Sequence, residues 1–114
     1  MELSIRTRAI ETTDELRDLV TRRIHFALDT FKGRIESASV YLMDLNGPRR
    51  GVDKLCQVTV RVHGIGDLVV LERGTTLAGV LSRAAGRMKY RVSEAVRRVG
   101  RPSTESIRTT SAAA

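Results

Sequence analysis

Leu55-Cys56-Gln57-Val58-Thr59-Val60-Arg61-Val62 is the stretch that decides the fold. Cys56, Val58, Val60 and Val62 fall on one side of a pleat, and Leu55, Gln57, Thr59 and Arg61 on the other. That period of two makes the segment a strand with one face turned to a core. Downstream, His63-Gly64-Ile65-Gly66-Asp67 is a tight connection, and residues 68–72 form the next strand. Upstream, Ala38, Val40 and Leu42 alternate with Ser37, Ser39, Tyr41 and Met43, ending at the turn-rich Asn46-Gly47-Pro48-Arg49-Arg50-Gly51. Connections this short join antiparallel neighbours, so the three strands form a meander.

Two helical patterns flank the meander. Leu16, Leu19, Val20, Ile24, Ala27, Leu28 and Phe31 recur at spacings of three and four, predicting a helix to about Lys32 with Gly33 as its stop. Thr13 is placed to cap its start, with Asp14 and Glu15 against the positive end of the dipole; Thr12 and Glu15 form an alternative capping box. Leu77, Val80, Leu81, Ala84, Met88, Val92, Ala95, Val96 and Val99 mark a second helix, opened by Thr75 or Thr76 and ended by Gly100-Arg101-Pro102. Before the first helix, Leu3 and Ile5 alternate with Glu2, Ser4 and Arg6, a short strand. The order β-α-β-β-β-α predicts an α+β sandwich, a four-stranded sheet with two helices on one face. Residues 1–101 are expected to be one domain and 102–114 a disordered tail.

Charge is segregated. Residues 1–72 carry eleven basic and eleven acidic side chains, whereas residues 73–114 carry nine basic against Glu94 and Glu105, the whole formal +7. Such a field concerns partners rather than fold and favours a polyanion. On the second helix Arg83, Arg87, Arg91 and Arg98 lie within about 80° at 100° per residue. Arg101 extends the line, Arg97 sits just behind it, and Lys89 and Tyr90 complete the candidate RNA-binding set, Tyr90 as a stacking ring. Helix flanks of this kind are commonly only solvated. Here Glu94 is the one acid on the helix, and the i,i+4 arginine pairs repel, which favours an external counter-ion. Arg23 falls among apolar positions, where a snorkelling stem is the simplest reading.

No Walker loop, G-x-G-x-x-G run, metal-ligand spacing or nucleophile elbow is present, and an enzyme, a cofactor or a metal is not expected. Cys56, the single cysteine, suits a core position in a reducing compartment. With no long apolar run or signal peptide, the chain reads as cytoplasmic, without a membrane or small-molecule partner.

Ile5-Arg6-Thr7-Arg8-Ala9-Ile10-Glu11-Thr12-Thr13-Asp14-Glu15-Leu16-Arg17, with Val20, Arg23-Ile24 and Phe31, resembles the opening of the ribosome hibernation promoting factor family. The resemblance covers residues 1–98. It implies a fold similar to a double-stranded-RNA-binding domain and a translation inhibitor bound to rRNA of the small ribosomal subunit, in the channel for messenger and transfer RNA. Through it Arg8 falls on a position often basic, Arg23 on a helix-1 cation that faces RNA, and Arg87 on the basic residue of a run of the form Asp-Lys-Leu-Glu-Arg-Gln. That run reads Gly86-Arg87-Met88-Lys89-Tyr90-Arg91 here. The length leaves no room for the dimerisation domain of long members, so a short, monomeric form with at most weak self-association is expected. A protein-interaction module that kept the fold, and a general binder of structured RNA, are the alternatives.

Overall fold

A computed structural model describes residues 1–45 and 53–99. Four strands, β1 (Glu2–Arg8), β2 (Ile35–Asp44), β3 (Lys54–Val62) and β4 (Gly66–Gly74), form one sheet in the order β1-β2-β3-β4. Helices α1 (Asp14–Leu28) and α2 (Leu77–Val99) pack on one of its faces. The β-α-β-β-β-α order and α+β class expected from the sequence are those observed. β2, β3 and β4 pair antiparallel, whereas β1, returned by way of α1, lies parallel to β2. A crossover helix is what a parallel neighbour requires.

The core is aliphatic. Ala38, Val40 and Leu42 of β2, Cys56, Val58, Val60 and Val62 of β3 and Val70 of β4 meet Val20, Ile24 and Leu28 of α1 and Leu81, Met88 and Val92 of α2 in one cluster. Burial pushes the Cys56 thiol up to about 12, helped by the Glu72 carboxylate opposite it on β4. Cys56 is thus a small apolar core residue, as its alternation implied.

Local chemistry sets the element ends. Thr13 Oγ1 accepts from Leu16 N–H at 3.1 Å and caps α1. The Thr12 hydroxyl sits 2.6 Å from that of Thr7, a different role from the alternative capping box. Thr7 also donates to the Ile10 carbonyl at 3.1 Å, across Ala9, which is held at φ 60°. The first helix stops at Leu28, short of the expected Lys32, and a 3₁₀ segment (Asp29–Arg34) carries the chain into β2. The spacing from Leu28 to Phe31 suits either helix, so periodicity could not separate them. In the β3–β4 connection Gly64 and Gly66 take φ of 77° and 106°, the left-handed region where glycine is unstrained. At the other end of that hairpin the Lys54 ammonium bridges Asp53 at 2.9 Å and Asp44 at 3.4 Å, with Asp53 almost wholly buried. The turn at residues 46–51, Arg101 and the tail at 102–114 lie outside the described residues, and no helix among those described is long and apolar enough to cross a membrane.

Candidate nucleic-acid interface

Thr76 opens α2, its hydroxyl accepting from Gly79 N–H at 3.0 Å. Val80, Leu81, Ala84, Ala85, Met88, Val92 and Ala95 turn one face into the core. This sets Arg83, Arg87 and Arg91 along the outer edge of β4. There they form a regular ladder. Arg83 Nη2 donates to the Arg73 carbonyl at 2.8 Å, Arg87 Nη1 to that of Leu71 at 3.2 Å, and Arg91 Nη1 to that of Val69 at 2.9 Å. The match is geometric: four helical residues rise about 6 Å and two strand residues about 6.8 Å, so every fourth residue of α2 meets every second carbonyl of β4.

The counter-charge that the sequence of α2 lacks comes from another element. Glu72 of β4 pairs with both Arg83, at 3.4 Å, and Arg87. The Arg87 hydrogen bond, seconded by Arg83, holds its carboxyl below the usual carboxylate range. The repulsion expected between Arg83 and Arg87 is therefore offset within the fold. A guanidinium offers five N–H donors, and the ladder engages at most two on each arginine. The remaining donors stay with three exposed side chains whose positions are already fixed.

The other candidates separate into distinct places. Arg98 is exposed further along α2, while Arg97 pairs with Glu94 at 3.0 Å. Tyr90 is 65% exposed on the outward side of α2. Arg23 is exposed rather than a buried stem, and it lines a groove between α1 and α2 together with Lys89. Arg8 lies on the helix-free face of the sheet, in a row with Met43, Leu55 and Arg73. Three strand spacings, about 14 Å, separate its strand from β4. The structure thus unites Arg83, Arg87 and Arg91, puts Arg23 and Lys89 on the opposite flank of α2, and leaves Arg8 apart. On Arg8's face Arg6 stacks over Tyr41 at 5.8 Å.

Two residues of note were missed in the sequence. Glu72 gives no local signal, because its partners lie eleven and fifteen positions away. Phe26 is 84% exposed on α1. Its signal was an aromatic residue outside the apolar stripe.

The fold is a small α+β sheet domain carrying a cationic helix, and comparison with known proteins narrows the class. Residues 3–99 match the model of the family described as sigma 54 modulation protein / S30EA ribosomal protein, and the chain belongs to that family. Among solved structures, it is similar to the N-terminal domain of Protein Y from Thermus thermophilus. That likeness has 25% identity and a TM-score of 0.68, covering 82% of this chain and 98% of the other. A ribosomal subunit interface protein from Coxiella burnetii, 11% identical, shares the fold with a TM-score of 0.69, covering 82% of this chain and 96% of its own. Comparison with curated protein sequences gives no significant match.

Proposed function

We propose that this protein is a non-enzymatic ribosome-associated hibernation factor that binds rRNA phosphates of the small subunit and keeps it from translating. Family membership supports the ribosome as partner. The observation that carries the phosphate contact is the row formed by Arg83, Arg87 and Arg91, each fixed by the β4 edge with donors to spare. Forks held in place lose less side-chain entropy on meeting a phosphate than free ones do. Arg98 and Arg23 extend the positive surface along and across α2, and both are exposed.

The test is sedimentation of the purified protein with ribosomal subunits through a sucrose cushion at increasing salt. Co-pelleting with the small subunit that fades as salt rises is the expected result. No co-pelleting at low salt, or pelleting indifferent to salt, would overturn the reading and favour a protein-interaction module.

A further inference from the structure

Phe26 presents nearly its whole ring to water at the mouth of the groove between α1 and α2. Two adjoining depressions meet at it, one lined by Leu19, Arg22 and Arg23, the other by Arg23, Ala85, Gly86 and Lys89 among others. Among the described residues neither is lined by an acid. Arg22 is tied to Asp18 at 3.2 Å. Arg23 and Lys89 have no carboxylate within 4 Å among the described residues. The floor is low: a Cβ added at Gly86 would meet nothing within 4 Å. An aromatic face beside a shallow slot, between two uncompensated cations, is how proteins hold an unpaired base with its neighbouring phosphates.

We infer that the α1–α2 groove takes an unpaired RNA base stacked on Phe26, its flanking phosphates meeting Arg23 and Lys89. This rests on the RNA-binding reading and adds a second contact on the flank of α2 opposite the arginine ladder. An apolar protein anchor fits less well, because among the described residues Phe26 is the one large apolar side chain lining the depression between the helices, and Leu19 in the adjoining depression on α1 is half-buried. A base in a duplex cannot reach the ring, so the groove favours single-stranded or looped segments.

The chain has no tryptophan, so Phe26→Trp puts a single reporter at the groove. Titration with an oligoadenylate single strand is expected to quench its fluorescence, and an RNA duplex of equal length to leave it bright. Phe26→Ala is expected to weaken binding of the single strand and of small subunits roughly tenfold, as loss of one stacked base does. Phe26→Trp should bind as the wild type, and the exposed position makes all three proteins equally stable to heat. If wild type binds subunits and Phe26→Ala binds equally well, the stacking inference fails while the phosphate reading stands. Wild-type protein that binds neither RNA nor subunits overturns both. Loss of self-association in Phe26→Ala with RNA binding intact would assign the groove to a second copy of the chain and overturn the inference.

Discussion

Arg91 donates from Nη1 to the carbonyl oxygen of Val69 at 2.9 Å, closing the third rung of a ladder along the outer edge of β4. An exposed strand edge invites pairing with another chain, and proteins commonly blunt it with charge or a covering element. Here side chains from the neighbouring helix occupy the carbonyls, beside the exposed side chains of Val69 and Leu71.

Removing the rungs should therefore release the edge. The triple variant Arg83→Ala, Arg87→Ala, Arg91→Ala is expected to self-associate with rising concentration in analytical ultracentrifugation, whereas the wild type stays monomeric. A monomeric triple variant would mean the ladder does not guard the edge. Charge reversal is a poor probe here, since a glutamate at position 87 would face Glu72 as well as any phosphate.

The salt dependence of subunit binding follows from counting cations. If Arg83, Arg87, Arg91, Arg98 and Arg23 each neutralise one phosphate, log affinity should fall against log salt with a slope of about −4. Arg98→Gln removes an exposed side chain that makes no hydrogen bond or ion pair among the described residues and should make the slope shallower by about one unit. An unchanged slope in that variant would take Arg98 out of the interface.

Glu72 links the ladder to pH. Its carboxyl titrates below the ordinary value of 4.5 because Arg87 and Arg83 favour the charged form. The unfolded chain thus takes up this proton first on acidification. The stability Glu72 contributes is full above pH 4.5 and is lost as pH falls through its lowered folded value. Thermal melts of wild type and Glu72→Gln should differ most near neutrality, with the wild type more stable, and converge in acid. A gap that persists unchanged into acid would contradict the assignment.

Ala9 offers a stabilising substitution. Its φ of 60° places a Cβ in the left-handed region, at a cost of roughly 1 kcal/mol that glycine avoids. Ala9→Gly should raise the urea midpoint correspondingly; a lowered midpoint would show that the Thr7 hydrogen bonds already absorb the strain.

The strands, the Thr13 cap, the two helices and the core of Val58, Val60 and Leu42 were legible because each rests on periodicity or on neighbours within one turn. What escaped depends on contacts across the fold. α1 ends at Leu28 and gives way to a 3₁₀ segment that runs on through Gly33, so the glycine is not its stop. The row on α2 was legible as spacing, but its anchoring was not, since Glu72 and the carbonyls of Val69, Leu71 and Arg73 belong to another element. Arg8, Arg23 and Arg87 share a sign in the sequence yet occupy three different surfaces. For Phe26, the neighbouring Gly86 and Lys89 come from a helix some sixty residues on.

The parallel pairing of β1 sets an order of assembly. Glu2 waits for Ser37 and Arg8 for Met43, with α1 to be accommodated between them. The meander β2–β4 closes through shorter loops, which cost less entropy and form sooner. α2 then has a sheet to dock on, and only after that do its arginines find the carbonyls that align them. Synthesis runs from β1 toward α2, so the cationic surface is completed after nearly all of the described chain has been made. Until α2 is docked, then, Arg83, Arg87 and Arg91 have no carbonyls to align them, and the row exists only in the assembled fold.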